Sequence, residues 1–197
     1  MIHPTPTKTL LTTTFESLVR QLSDSLARGT RLIEQFVQAE PTPQTTMAFE
    51  LELSALLREV GRRMMAWTLN RLEPDAEAPS RVKFAGHLYR RRRPHPHAVA
   101  TLFGPVTLRR RLYEPLGGRG RSIHPVELRL GLEAGLATPA LAERVGRWAT
   151  DHTQHEVLEM VQRDHGVEWS CSSLRNVVGS LRAGMAPIER RPRSSKC

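Results

Sequence analysis

The sequence predicts a mostly helical α+β fold, and three successive patterns along its 197 residues support that prediction. Apolar residues recur every three or four positions between residues 15 and 67, which is the period of an amphipathic helix. Around residue 106 they alternate with polar residues, as in a strand with one buried face. Beyond residue 138 the helical period returns, and helix-capping residues precede each apolar run.

Residues 1–80 predict two helices, packed as an antiparallel hairpin or as a dimerising coiled coil. One apolar stripe runs from residue 12 to residue 39, with Gly29 as a point of interruption. A second stripe runs from Leu53 to Trp67, and we expect its helix to end before Pro74, because proline disrupts a helix interior. The stretch EPDAEAPS, residues 73–80, has the composition of a linker. We expect this region to mediate homo-oligomerisation.

Residues 81–121 predict a small antiparallel β-ribbon followed by a loop rich in glycine and arginine. The alternation covers VTLRRRLY, residues 106–113, and residues 98–103 form its natural partner strand. Gly104-Pro105 between the two strands predicts a tight turn. On this register Arg109, Arg111 and Tyr113 lie on the exposed face. Arg110 ends the apolar face, so it needs a partner or a route to solvent.

The positive charge of the chain is concentrated in this ribbon. Residues 81–121 hold 11 basic residues and one acidic residue, Glu114, so their net charge is +10. Residues 1–80 and 122–186 each have a net charge of −2, and the last eleven residues have +3, which gives +9 for the whole chain. A local cluster of this kind attracts polyanions, which makes nucleic acid the leading partner. The predicted contacts here are Arg90, Arg91, Arg92, Arg93, Arg109, Arg110, Arg111, Tyr113, Arg119 and Arg121.

Residues 122–186 predict a helix-turn-helix-like region. Thr138-Pro139 opens one helix, Thr153 and Glu156 form a capping box before a second, Gly166 ends that helix, and Ser170 caps a last one. If the region reads DNA, the last helix is the recognition helix. Its outward candidates are Ser172, Ser173, Arg175, Asn176 and Arg182. The alternative is an ordinary helical bundle with no nucleic-acid role.

Other chemistry has weak support in the sequence, so we expect no catalytic residues, no metal and no cofactor. His152 and His155 straddle a predicted helix start, away from any cysteine, which disfavours a zinc site. Cys171 lies in the first turn of a predicted helix with no orienting acid. No stretch of about 18 apolar residues or secretory signal is present, so we expect a cytoplasmic protein that does not enter a membrane.

Residues 99–186 have an ordered set of features in common with a known family. These are the basic hairpin VATLFGPVTLRRRLYEP, the Pro-x-acid-Leu step at Pro125–Leu128, and a helical region with a Gly-x-x-x-Ser step from Gly166 to Ser170. The pattern resembles the N-terminal half of bacterial insertion-sequence transposases of the ISKra type, which belong to the class with a DDE catalytic triad.

The resemblance implies that this region recognises the terminal repeats of a transposon, while a later RNase-H-like domain carries the acids that cleave and join strands. It makes Arg109, Arg110, Arg111, Arg175 and Asn176 the candidates for contact with double-stranded DNA. The stretch EPLGGRGRSIH has no cysteine pair for zinc, and a basic tail follows at residues 187–197. We therefore expect a truncated transposase that binds DNA ends and is inactive in strand transfer alone.

Three alternatives remain open at this point. A stand-alone transcriptional repressor would use the same helix-turn-helix on a palindromic site. A protein that binds RNA would use the arginine segment on an A-form helix. Complete transposase activity would require a separate chain that supplies the catalytic acids.

Overall fold

The computed structural model describes residues 15–72, 79–117 and 120–185. Within those ranges it contains six helices and one antiparallel sheet of three strands, which confirms the predicted mostly helical α+β class. The chain divides into two compact units, Met1–Thr68 and Leu69–Cys197. No helix in the described part of the chain is both long and apolar enough to cross a membrane.

The first unit is a pair of long helices, α1 (Phe15–Gln38) and α2 (Pro43–Arg71), the second of which ends in the second unit. Both predicted helices are confirmed, and α2 ends before Pro74 as expected. Thr42 precedes α2, and its Oγ1 accepts a hydrogen bond from the N–H of Thr45 at 3.1 Å. Such a cap satisfies one of the amide groups that a helix start leaves without a partner.

The two helices run antiparallel, because residues early in α1 contact residues late in α2. Phe36 stacks on Phe49 with ring centroids 4.3 Å apart, whereas Phe15 contacts the ring of Trp67. Gly29 lies between these contacts and does not interrupt α1, so that expectation was wrong. A Cβ at residue 29 would be 3.1 Å from a methyl group of Leu56, which shows how closely the helices approach there.

The sheet belongs to the second unit and has the order β1-β2-β3 (Arg81–Phe84, His87–Thr101 and Gly104–Pro115). The predicted two-stranded ribbon is thus extended by β1, which the sequence pattern did not reveal. Ala85 and Gly86 connect β1 to β2 with φ values of 46° and 84°. Positive φ at both central residues is typical of a two-residue hairpin turn, because the backbone twist of such a turn matches the twist of the flanking strands.

The turn between β2 and β3 consists of Leu102 and Phe103, not of Gly104-Pro105 as predicted. Thr101 pairs with Gly104 across the hairpin. The hydroxyl of Thr101 donates to the Gly104 carbonyl at 2.8 Å and accepts from the Phe103 N–H at 3.1 Å. This buried threonine side chain closes the turn, which leaves Pro105 as a strand residue.

Four helices follow the sheet: α3 (Pro125–Leu130), α4 (Pro139–Asp151), α5 (Gln154–His165) and α6 (Cys171–Met185). The predicted capping box of Thr153 and Glu156 is present at α5, and Gly166 ends that helix in a left-handed conformation with φ 62°. Ser170 caps α6 by accepting from the Ser173 N–H at 3.1 Å. Thr138 precedes α4 in an extended conformation but makes no side-chain cap.

The core of the second unit lies among α4, α5 and α6. Its fully buried members include Leu141, Val145, Val157, Val161 and Val177. The sheet joins this core through Ala100: its N–H donates to the Leu136 carbonyl at 2.8 Å, and its carbonyl accepts from the Thr138 N–H at 3.0 Å. The turn end of the β2–β3 hairpin is therefore held directly against the start of α4.

Candidate nucleic-acid interface

A β-bulge interrupts the pairing of β2 with β3 at the arginine run. Arg91 pairs with Tyr113 and Pro94 pairs with Arg111, so β2 has one residue more than β3 between these two pairs. Proline fits this position because it has no N–H to contribute to a regular ladder. A bulge breaks the strict alternation of side chains and increases local twist, so neighbouring arginines can face a common space.

That common space is a cleft of about 350 Å³ lined by Arg91, Arg92, Arg93, Pro94 and Arg111. We call it the arginine cleft. Arg91, Arg92 and Arg93 are exposed, whereas Arg111 is 3% exposed. The lining of the cleft therefore combines three exposed arginines of β2 with one buried arginine of β3, which linear spacing does not predict.

Glu114 is the one acidic residue in the sequence from 81 to 121, and it already has a partner. The Nε of Arg92 lies 2.6 Å from a carboxylate oxygen of Glu114. Arg92 and Glu114 have side chains 50% and 38% exposed, so solvent screens this pair and its contribution to stability is small.

The other predicted arginines of this region lie outside the cleft. Arg90, Arg109 and Arg121 are exposed. The backbone N–H of Arg109 donates to Oδ1 of Asn70 at 2.7 Å, and Nδ2 of Asn70 donates to the Thr107 carbonyl at 2.8 Å. Asn70 therefore covers part of the free edge of β3 and fixes the backbone from which Arg109 projects. Arg119 lies outside the described residues.

The prediction that Arg111 and Tyr113 are exposed was wrong. They are 3% and 2% exposed, respectively, and the Tyr113 hydroxyl donates to the Pro79 carbonyl at 3.0 Å. The buried face of β3 changes along the strand: Val106 and Leu108 are buried on one face, then Arg111 and Tyr113 on the other. Alternation predicts which residues share a face, but it does not reveal where the covered face changes.

Arg110 lies on the same face as Leu108 and forms an ion pair with Glu127 of α3. Both side chains are only 14% exposed. Burial lowers the pKa of the Arg110 guanidinium from its ordinary value, although arginine stays charged in proteins. The expectation that Arg110 needs a partner is confirmed, and the partner comes from a short helix that the sequence pattern did not predict.

Three histidines lie close to this ion pair. Nε2 of His95 accepts from Nε of Arg110 at 3.3 Å, and the His95 and His124 rings lie 5.4 Å apart. His97 donates from Nε2 to the Gly135 carbonyl at 2.7 Å. Burial lowers the pKa of both His97 and His124, and the positive charge of Arg110 lowers each further.

Helix α6 presents a polar face on the side opposite its core residues. Ser172, Arg175, Asn176 and Arg182 are exposed, as predicted, whereas Ser173 is half-buried. The hydroxyl of Ser173 lies 3.0 Å from that of the capping residue Ser170. The four exposed residues follow the helical period, so they form one continuous face.

A second cleft, of about 310 Å³, lies beside this face. Its polar lining residues are His152, Gln154, Arg175 and Arg182, from the end of α4, the start of α5 and α6. Nε of Arg175 donates to the side-chain oxygen of Gln154 at 3.3 Å. The sequence pattern predicts the two arginines on one face of α6. It does not predict His152 and Gln154 as their neighbours, because only the packing of three helices brings these residues together.

The residues considered for metal or thiol chemistry lie at the surface. Cys171 is exposed at the start of α6. His152 and His155 face the carboxylates of Glu156 and Glu159 at 4.0 and 3.2 Å. Across residues 15–72, 79–117 and 120–185, no group of three or more histidine, cysteine, aspartate or glutamate side chains is arranged to hold a metal ion.

Known protein-family models give no match to this chain, and no curated protein matches it.

Proposed function

We propose that the chain binds double-stranded DNA and recognises the terminal repeats of an insertion sequence, which is the recognition step of a transposase. The observation that carries this proposal is the arginine cluster on β2 and β3. Four of its arginines line one cleft, and Glu114 is the single acidic residue between positions 81 and 121. Such a local excess of positive charge attracts a polyanion and guides its approach.

The kind of basic residue supports a phosphate partner. Arginine accounts for 26 of the 29 basic residues of the chain. A guanidinium group presents a planar fork of N–H donors that matches two phosphate oxygens, whereas lysine offers a single point charge. Each phosphate that is neutralised releases condensed counterions, so binding through this surface depends strongly on salt.

The exposed face of α6 supports recognition of sequence. Arginine can make two hydrogen bonds to guanine in the major groove, and asparagine can make two to adenine. Arg175 and Asn176 are adjacent and exposed on α6. We propose that the arginines of the sheet contribute affinity through the backbone, while the α6 face contributes preference for a base sequence.

We also propose that the chain forms a homo-oligomer through α1. Val19, Leu26 and Ile33 are 44%, 72% and 51% exposed, and they follow one another at intervals of seven residues. A heptad row of apolar residues suits packing of helix against helix. A second copy of the chain presents the same row, so two copies related by a two-fold axis can pack these apolar side chains against each other.

The proposed role requires access to chromosomal DNA, and we therefore propose a cytoplasmic location. The test compares a duplex that carries the terminal repeats flanking the gene with a random duplex of equal length, each at about 50 and 200 mM salt. We expect tighter binding of the repeats and a loss of affinity on the order of a hundredfold at the higher salt. Binding that ignores salt contradicts the proposal.

Two further duplexes separate the proposal from its alternatives. An RNA duplex of equal length that competes better than DNA would favour an RNA-binding protein. A palindromic site preferred over the terminal repeats would favour a stand-alone repressor, because the symmetry of such a site mirrors that of a dimer.

A further inference from the structure

The helical hairpin of the first unit buries little apolar surface by itself. Of residues 15–68, only Leu18 and Ser25 are buried, and the hydroxyl of Ser25 donates to the Gln21 carbonyl at 3.0 Å. Stable domains consist of at least two packed layers that cover each other's apolar faces. The two helices of the hairpin form only one such layer.

One side of α1 is uncharged along its whole length. Positions at steps of three and four hold Phe15, Val19, Leu22, Leu26, Thr30, Ile33 and Val37. All of these residues except Leu22 are exposed. A monomeric protein rarely exposes a continuous apolar surface of this extent, so the surface indicates an interaction site.

Helix α2 extends this uncharged side with Leu57 and Met64, which are 59% and 49% exposed and lie seven residues apart. Leu57 follows Leu56, whose side chain packs on α1, just as Leu26 follows the buried Ser25. One position along the chain is a rotation of about 100° around a helix. In two antiparallel helices, this rotation leads from the line of contact to the same side of the pair. Leu57 and Met64 therefore lie beside the uncharged side of α1.

The opposite side of the hairpin is charged. Glu59, two positions after Leu57, forms ion pairs with Arg62 and Arg63. Arg63 also donates to the main-chain carbonyl of Gln21 in α1 at 3.2 Å. The two sides of the hairpin thus differ in character, and only the uncharged side suits an apolar partner.

We propose that the apolar face formed by Val19, Leu26, Ile33, Leu57 and Met64 packs against the same face of a second copy, so that two hairpins build a four-helix bundle. Helices in such bundles bury apolar residues that recur every seven positions. This inference rests on the proposed self-association through α1, to which it adds the role of α2 and the number of copies. It does not depend on DNA binding.

The size of the apolar face suits a dimer. Helix α1 has 24 residues, so it is about 36 Å long, and two helices side by side are about 20 Å wide. The face therefore covers on the order of 700 Å² per copy, close to the roughly 800 Å² that each partner contributes to a specific interface. It holds no charged side chain that contact would remove from water. Two-fold symmetry closes the contact, so that assembly stops at two copies.

The first experiment disrupts the α2 half of the apolar face. Leu57→Glu with Met64→Glu adds charge within the face. The control, Ala48→Glu with Ala55→Glu, adds the same charge at exposed positions of α2 that are also seven apart but lie on the opposite side of the helix. Sedimentation equilibrium of the full chain at micromolar concentration measures the mass, and circular dichroism verifies that each variant stays helical. We expect twice the chain mass for the wild type and the control, and the mass of one chain for the first variant.

Thermal unfolding provides a second measurement. Association stabilises the folded chain by mass action, so the wild-type unfolding midpoint should rise by about 2 °C for each tenfold increase in protein concentration. The midpoint of Leu57→Glu with Met64→Glu should not change with concentration. A wild-type midpoint that is independent of concentration would overturn the proposal.

The outcomes separate this inference from the self-association on which it rests. A wild-type monomer overturns both. A dimer that persists in Leu57→Glu with Met64→Glu overturns the role of α2, while self-association through α1 stands. A wild-type mass of three or more copies overturns the four-helix bundle. Equal loss of the dimer in the control would show a general effect of added charge, and it would overturn the assignment to this face.

Discussion

Nδ1 of His165 donates a hydrogen bond to the carbonyl oxygen of Leu102 at 2.8 Å, across 63 positions of sequence. His165 is the last residue of α5 and is 3% exposed, and Leu102 lies in the turn between β2 and β3. The imidazole also stacks on Trp148 with ring centroids 5.9 Å apart. One buried side chain therefore joins the helical part of the second unit to the tip of its hairpin.

Replacement of His165 by leucine should lower the free energy of unfolding by about 1–3 kcal/mol, since the Leu102 carbonyl loses its donor in a buried place. Urea denaturation measures the change. His155→Leu on the same helix is the control and should change stability by less than about 0.5 kcal/mol, because that side chain is 84% exposed. Equal effects of the two substitutions would contradict the role of this hydrogen bond.

Stability should fall as the pH drops below about 6.5. Burial and the charge of Arg110 lower the pKa of His97 and His124 below the ordinary value of 6.5. At a pH between the lowered pKa of the folded chain and the ordinary pKa of the unfolded chain, the unfolded chain binds more protons. A falling pH therefore favours unfolding. Urea denaturation at pH 7.5, 6.5 and 5.5 measures the loss.

A matched variant tests the origin of this pH dependence. His97→Gln with His124→Asn keeps side-chain donors for the carbonyl groups of Gly135 and Arg111 but removes both titrating rings. Its free energy of unfolding should depend less on pH between 7.5 and 5.5. The same slope in wild type and variant would mean that other groups cause the loss.

Substitutions on α6 and on the sheet should affect DNA binding in different ways. Arg175→Ala and Asn176→Ala should each reduce the preference for terminal repeats over random duplex by about 1–3 kcal/mol, since each removes a group able to contact a base edge. Arg109→Ala should weaken binding to both duplexes alike and reduce the slope of log affinity against log salt by about 0.9. Titrations at several salt concentrations separate the two patterns, and a uniform loss in all three variants would contradict this division of roles.

Disruption of the apolar row on α1 should abolish self-association. Leu26→Glu with Ile33→Glu introduces charge at two exposed apolar positions, whereas Gln35→Glu with Gln38→Glu adds the same charge at exposed polar positions on another side of α1. Sedimentation velocity should show an oligomer for wild type and the second variant, and a monomer for the first. A wild-type monomer at micromolar concentration would rule out the proposed oligomer.

The elements whose causes are local could be predicted from the sequence. Thr153 and Glu156 are three residues apart and satisfy each other's backbone groups, so the start of α5 needs no distant partner. Gly166 ends that helix because glycine adopts a positive φ without steric cost. The packing of α1 on α2 likewise follows from apolar spacing within each helix.

The environment of the arginines required the tertiary structure. Arg109, Arg110 and Arg111 are consecutive, yet one is exposed, one is paired with Glu127, and one is buried in the arginine cleft. Their differences arise from α3, from the bulge in β2 and from the change of the covered face along β3. The spacing of residues along the sequence predicts none of these three features.

By itself, therefore, the sequence determined the class of fold, most helix boundaries and the concentration of positive charge in residues 81–121, because each depends on composition or on residues a few positions apart. Only the tertiary structure decided which of those charges face solvent and which share a cleft. Burial and pairing are set by segments far apart in the chain, such as β2 and β3 around the bulge or α3 beside Arg110.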